Sequence, residues 1–317
     1  MVRSSLKAML TGFLLCVTTV SAMATPLNQF VVFGDSLSDT GNLYEYMKHQ
    51  LPLSPPYYHG RFSNGPVWVE HLVASYYPSD ASSHMQNYAF GGSGVAEEED
   101  DEMYDGAMLT LGSQVDSYLL AHDHQARDSS LYIIWTGANN YLALPDDIEP
   151  EVRFVVNSIR RNAEKLIEQG AKHIMLIGLP DLGRVPMASE FEANRELTQL
   201  ALTHNAILEA EVKKLQSDYP EVEWVFFSVN SMFNDALDYP ERYGFTNTTG
   251  TCYETLETIP SPQSVLSMAA RIKPRSARSN ICDQYLFFDP VHPTARGHEY
   301  IGVEARKVLD SAGVQFE

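Results

Sequence analysis

The chain is poor in cysteine, in basic residues and in long apolar runs. Among its 317 residues are 3 cysteines, and 22 Lys plus Arg stand against 41 Asp plus Glu, for a formal net charge of −19. So few cysteines exclude a small disulfide scaffold, and a structural zinc site, which needs four ligands, is not supplied by cysteines and finger-spaced histidines here. The acidity argues against a nucleic-acid partner, because a surface of this sign is repelled by phosphates at long range, and against tight docking on an anionic bilayer. No GxGxxG follows the first apolar run and no GxxxxGK[ST] occurs, which speaks against nucleotide binding. Past the N-terminus no segment reads as membrane-spanning, so peripheral membrane contact is the most that is expected. What is present, 44% hydrophobic and 20% charged residues, suits one sizeable globular domain.

The first residues, MVRSSLKAMLTGFLLCVTTVSAMATP, differ from the rest. Arg3 and Lys7 precede an apolar stretch that ends in the small-x-small triplet Ala22-Met23-Ala24, so residues 1–24 read as a signal peptide and 25–317 as one domain. Leu15 before Cys16 is not the small residue of a lipoprotein cleavage box. Removing the leader takes away two positive charges, turning −19 into −21. The product is expected outside the cytoplasm, extracellular or periplasmic. There the two remaining cysteines, Cys252 and Cys282, are expected to form a disulfide worth about 3 to 4 kcal/mol by loop-closure arithmetic. Two free thiols are the alternative.

Short apolar runs at 30–33, 87–90, 131–135, 173–177 and 222–228 read as strands, and the stretches 109–124, 151–169 and 189–217 have the length and spacing of amphipathic helices. That alternation predicts a mostly parallel sheet covered on both faces. The loops at the carboxyl ends of the strands then share one edge. Three regions look like insertions: 51–66, rich in Pro, Tyr and Gly; 97–102, the charge run EEEDDE, read as a solvated turn with calcium binding as the lesser option; and 239–282, which contains the cysteine-bounded loop.

The chemistry-bearing residues fall on the shared edge. Ser36 follows the first strand in FVVFGDSLSDTGN, entering polar residues able to start a helix, and Asp289 and His292 follow the last apolar run in LFFDPVHPTARGHEY. A serine hydroxyl is a nucleophile only when an imidazole takes its proton, and the imidazole needs a carboxylate to orient it. Asp289 lies three residues before His292, and Pro290 and Pro293 stiffen the loop between and after them. Gly92 in NYAFGGSG offers a backbone N–H and Asn139 in WTGANNYL a side-chain amide to a developing oxyanion, with the Ser36 amide as a third donor. Taken singly, each of these segments also reads as ordinary turn chemistry. The chemistry so read calls for no cofactor and no metal.

Together FGDSLSDTGN, NYAFGGSG, WTGANNY and DPVHPTARGH resemble the four blocks of the GDSL lipases, or SGNH hydrolases, in order. The resemblance implies a three-layer α/β/α sandwich with a five-stranded, mostly parallel sheet. It also implies Ser36 as nucleophile, Gly92 and Asn139 completing the oxyanion hole, Asp289 and His292 finishing the triad, and Asp39 in a structural role. One departure is that Asn140 stands where the family has a loop-bracing aspartate; an amide of that shape is expected to hydrogen-bond in its place. FSNGPVWVE and GANNY are similar to secreted phospholipases, lysophospholipases and glycerophospholipid:cholesterol acyltransferases of Gram-negative bacteria. Lysophospholipid hydrolysis is the preferred expectation, with phospholipase A or sterol acyl transfer as the alternative. A carbohydrate esterase or a non-catalytic lipid- or glycan-binding module is the third reading. Tyr57 and Tyr58 are expected to line an acyl channel or meet a lipid surface, or else to pack their own loop. Arg271, Lys273, Arg275 and Arg278, between the two cysteines, suggest a segment open to an activating protease, or one that grips a phosphate headgroup or an acidic surface.

Overall fold

Five short strands, four of them rich in β-branched, aromatic or other apolar residues, form the central sheet of the computed structural model, which describes residues 26–96, 110–253 and 282–317. They are β1 (Gln29–Gly34), β2 (Met85–Asn87), β3 (Ser130–Trp135), β4 (His173–Ile177) and β5 (Glu223–Phe227), all parallel, in the order β2-β1-β3-β4-β5. All six residues of β3 are buried, as are Phe30 to Gly34 of β1, so neither strand alternates between polar and apolar residues. The strand expected at 87–90 lies earlier. Past Asn87, whose Oδ1 accepts from the Ala89 N–H and whose Nδ2 donates to the Ser38 carbonyl, the N–H groups of Tyr88 and Phe90 still donate to the Val32 and Gly34 carbonyls of β1.

The helices are α1 (Asn42–Tyr46), α2 (Trp68–Tyr76), α3 (Leu111–Ala121), α4 (Ala138–Tyr141), α5 (Ile148–Glu168), α6 (Pro186–Glu190), α7 (Asn194–Asp218), α8 (Val229–Asp238) and α9 (Ala295–Ala312). In α5 the buried residues Val152, Val155, Val156, Ile159, Ala163 and Leu166 recur at three- and four-residue steps, the stripe that a helix lays on a sheet. The helix expected over 189–217 is two, α6 and α7, because the chain breaks at 191–193 with Glu192 at φ 55°. Neither α2 nor α8 stands out by length; α2 is nine residues and is held by Trp68, Val69, Leu72 and Val73 in the core.

Helices α3, α5 and α7 pack in a row on one face of the sheet and α2 packs on α9 on the other, giving three layers. Right-handed crossovers require this, since β1 to β2 steps one way along the sheet and β2 to β3, β3 to β4 and β4 to β5 step the other. The reversal leaves a crevice at the carboxyl ends of β1 and β3, where open parallel sheets bind ligands.

A separate parallel pair, β6 (Asn247–Thr251) with β7 (Tyr285–Phe287), flanks the cysteines. Cys252 and Cys282 are joined as a disulfide, with Cα atoms 5.2 Å apart. The segment 1–24 expected to be a signal peptide, the charge run at 97–102 and the basic cluster from Arg271 to Arg278 lie outside the described residues.

Candidate active site

In the pairing of β1 with β3, Gly34 lies opposite Trp135, so Ser36 and Gly137 leave the sheet at the same level. The chain does not enter a helix at Ser36, as the sequence suggests; it makes a tight turn in which the Asp35 carbonyl accepts from Ser38 and Asp39, and α1 begins only at Asn42. The Trp68 indole donates to Ser38 Oγ at 3.0 Å and pins this turn from α2. Asp39 is buried, and its carboxylate accepts from the N–H groups of Gly41, Asn42, Leu43 and Gly91, tying the first loop to the second. Burial pushes its pKa up to about 6 against those hydrogen bonds.

On the neighbouring loop, between β7 and α9, Asp289 Oδ1 accepts from the N–H groups of Val291 and His292, at 2.9 and 2.8 Å. Its Oδ2 lies 2.6 Å from His292 Nδ1, and His292 Nε2 lies 2.8 Å from Ser36 Oγ. With Nδ1–H donating to the carboxylate, Nε2 is the acceptor for the serine proton. All three residues are buried, Ser36 at 4% exposure and the other two at 1%. Burial alone raises the Asp289 pKa; the charge of His292 and hydrogen bonds from His292, Tyr57 and the Val291 N–H outweigh it and hold the carboxyl below its ordinary value. Asp35, on the other side of Ser36, is raised to about 6 by burial, which the Leu37 N–H and His292 only partly offset.

The segment 51–66 packs against the loop that carries Asp289 and His292. Tyr57 is buried and its hydroxyl donates to Asp289 Oδ2 at 2.7 Å, so it neither lines an acyl channel nor meets a lipid surface. Ser63 donates to the Pro293 carbonyl, Asn64 accepts from the Ala295 N–H, and the Phe62 ring lies 5.0 Å from the His292 ring. Tyr58 is 40% exposed, with Arg61 over its ring. Sequence reading misses the role of Tyr57 because nothing local in a Pro- and Tyr-rich loop points to a residue 232 positions away. It also misses Gln114, buried in α3, whose amide exchanges two hydrogen bonds with Gly34 and donates to Ser93 Oγ, bridging the first strand to the second loop.

The expected oxyanion donors converge on the same crevice. Gly92 sits at φ 79° and Gly137 at φ 118°, left-handed conformations that a side chain would strain, and a Cβ at Gly137 would come within 2.9 Å of Val155. Among the described residues, the N–H groups of Ser36 and Gly92 have no acceptor within the protein. Asn139 Nδ2 spends one proton on the Ser93 carbonyl at 2.6 Å, which fixes the amide and leaves the second proton for a ligand. Asn140 pairs with Val95 in both directions, Oδ1 accepting from its N–H and Nδ2 donating to its carbonyl, each at 3.0 Å.

Ser36, His292 and Asn139 open onto a cleft of about 570 Å³, the solvent at its mouth included. Its walls are apolar, among them Leu142, Leu182, Val185, Val229, Phe233 and Ile301. Of the other histidines, His173 pairs with Glu223, His204 with Tyr141, and His298 accepts from the Trp68 N–H. Among the described residues no group of His, Cys, Asp and Glu is arranged to hold a metal ion, and no helix is long and apolar enough to cross a membrane.

Residues 30–304 match the model of a family described as GDSL-like Lipase/Acylhydrolase. The chain is 30% identical to a phosphatidylcholine-sterol acyltransferase of Aeromonas hydrophila, over 94% of this chain and 95% of that protein. It is 28% identical to the secreted effector protein SseJ of Salmonella typhimurium, over 87% of this chain and 62% of that protein. To the thermolabile hemolysin of Vibrio parahaemolyticus it is 27% identical, over 90% of this chain and 64% of that protein. The chain therefore spans under two thirds of the length of the last two. Among solved structures, an acetylxylan esterase from Geobacillus stearothermophilus has a TM-score of 0.45 at 14% identity, covering 93% of this chain and 98% of that one.

Proposed function

This chain belongs to the GDSL-like lipase/acylhydrolase family, and from that premise we propose that it is an exported serine acyl-ester hydrolase whose donor is a glycerophospholipid and whose acceptor is water or a sterol hydroxyl. The observation that carries the reading is the continuous hydrogen-bonded line from Asp289 through His292 to Ser36, opening on an apolar cleft.

Ser36 Oγ attacks the ester carbonyl as its proton passes to His292 Nε2, and Asp289 holds the ring by Nδ1 and stabilises the imidazolium. The carbonyl oxygen, now negative, takes hydrogen bonds from the Ser36 and Gly92 N–H groups and the Asn139 amide, each worth about 3 to 4 kcal/mol in the transition state. His292 then protonates the leaving alkoxide, the lysophospholipid departs, and the acyl group remains on Ser36. In the second half-reaction His292 takes a proton from water or from a sterol hydroxyl as the acceptor oxygen attacks the acyl carbonyl; the acyl–Oγ bond then breaks, His292 returns the proton to Ser36 Oγ, and fatty acid or sterol ester is released.

The donor and acceptor rest on the likeness, at 30% identity over nearly the whole of both chains, to an enzyme named for phosphatidylcholine and sterol. The chain's own charge of −19 favours a second reading, in which a monomeric lysophospholipid is the donor. Apolar cleft walls support a fatty acyl chain over a sugar ester. The test is incubation with phosphatidylcholine or lysophosphatidylcholine, with and without cholesterol, and measurement of free fatty acid and cholesteryl ester. Fatty acid release from both donors, joined by cholesteryl ester when cholesterol is present, is expected; turnover of an acetylated sugar alone would overturn the reading.

A further inference from the structure

Beside the cleft lies a second, smaller pocket, about 290 Å³ with the solvent at its mouth included, framed by Met232, Ala236, Tyr243, Phe245, Leu286 and Tyr300. The two spaces share a wall made of Phe233, Pro293 and Ile301. On α8 the buried residues Val229, Phe233 and Ala236 are spaced four and three apart and lie on one face. Val229 lines only the catalytic cleft, Phe233 lines both spaces and Ala236 only the far one, so this helix face is an apolar wall running from the serine into the second cavity. On the other side α9 does the same, with Ile301 shared and Gly297 and Tyr300 beyond it.

The far cavity has no charged lining residue. Its side-chain polar atoms, the sulfur of Met232 aside, are the hydroxyls of Tyr243 and Tyr300, and that of Tyr243 donates to Asp235 at 2.7 Å. A polar ligand group placed there would lose its water without gaining partners. A linear hydrocarbon loses nothing, and gains about fourfold in binding for each methylene buried.

We propose that the far cavity is the distal part of an acyl-chain site and that Phe233 sets its length. Short acyl groups end against the Phe233 ring, whose edge packs on Phe287 at 5.9 Å. Long chains displace that ring and lie between α8 and α9. The inference rests on the reading of Ser36 as acyl carrier and deepens it by naming a long, linear acyl chain as the group transferred.

The experiment compares kcat/KM for p-nitrophenyl butanoate, decanoate and hexadecanoate in the full-length protein and in two variants, each shown to be folded by thermal denaturation. Ala236→Leu fills the far cavity, and the hexadecanoate-to-butanoate ratio is expected to fall by about tenfold or more while butanoate turnover is retained. Phe233→Ala removes the partition, and the ratio is expected to rise; this arm stands even where Ala236→Leu does not fold. An unchanged ratio in the folded variants, or equal losses on all three esters, would overturn the inference. Ser36→Ala separates the two ideas, because butanoate turnover that survives it would sink the serine-esterase reading whatever the chain-length profile.

Discussion

The hydroxyl of Tyr57 donates to Oδ2 of Asp289 at 2.7 Å, the same oxygen that receives His292 Nδ1. Burial, then the Asp289 charge and the hydrogen bond to it, raise the Tyr57 pKa well above the usual phenol value, so the group stays a donor. It positions the acid from behind. Tyr57→Phe is expected to lower kcat by about tenfold, the scale of a hydrogen bond to a charged group, and to leave KM unchanged. It also removes one of the causes that depress the Asp289 pKa, so the carboxyl should titrate at higher pH in the variant, read by carbonyl-labelled NMR. An unchanged titration would mean that Tyr57 only fills space.

Asn139 lines the cleft and is held there by one amide hydrogen bond to the Ser93 carbonyl. Asn139→Ala is expected to cut kcat on a short acyl ester by about 10²- to 10³-fold with little change in KM. Wild-type turnover would remove Asn139 from the oxyanion site.

Asn140 uses both ends of its amide on Val95. The aspartate usual in the family at this place would set a carboxylate oxygen against the Val95 carbonyl. Asn140→Asp is therefore expected to lose about 1 to 3 kcal/mol of stability at neutral pH, measured by urea unfolding, and to regain part of it on acidification. A neutral substitution would show that the loop rearranges freely.

Burial, then the charges of His292 and His71, lower the pKa of His298 from 6.5 to about 3 against the pull of Asp289. Between those values the unfolded chain binds a proton at this ring that the folded chain does not. The stability it contributes is present above pH 6.5 and lost as pH falls towards 3, at about 1.4 kcal/mol per pH unit. His204, also lowered to about 3 by burial, acts in the same direction. Asp35 and Asp39, raised from 3.8 to about 6, oppose both, since their contribution is present below pH 3.8 and lost as pH rises through 6. Comparison with His298→Gln isolates one group: the wild type should lose stability faster from pH 6.5 to 4.5, by about one proton's worth of slope. Parallel curves would contradict the buried neutral ring.

Cys282 belongs to a buried cluster with Tyr57, Phe62, Tyr253 and Phe288, and Cys252 packs against it. The backbone of 252–253 bonds to the carbonyls of Phe287 and Phe288, next to Asp289. The double variant Cys252→Ser, Cys282→Ser is expected to lose about 3 to 4 kcal/mol by loop-closure arithmetic, and part of its turnover with it. Unchanged stability and rate would detach the disulfide from the catalytic loop.

Much of this was legible from local pattern. The strands β1, β3 and β4 are unbroken apolar runs, the helix α5 has a clear stripe, and Ser36, Gly92, Asn139, Asp289 and His292 sit where those elements end. Each of these signals is short-range. What escaped is long-range: Tyr57 reaching Asp289 and Gln114 reaching Gly34 across 80 positions are set by how the layers stack. The break between α6 and α7 escaped because Glu192 takes a left-handed conformation that its residue type does not announce. The apolar cleft escaped for a similar reason, its walls coming from α4, α8, α9 and the loops that follow β4 and β7.

The central claim is that Ser36 carries the acyl group with His292 as its base. The most direct measurement is peptide mass spectrometry of the folded protein after reaction with an alkyl fluorophosphonate, in the wild type and in His292→Ala. One adduct on the peptide containing Ser36 is expected in the wild type and almost none in the variant. A folded wild-type protein with no adduct, or with its adduct on another residue, would contradict it.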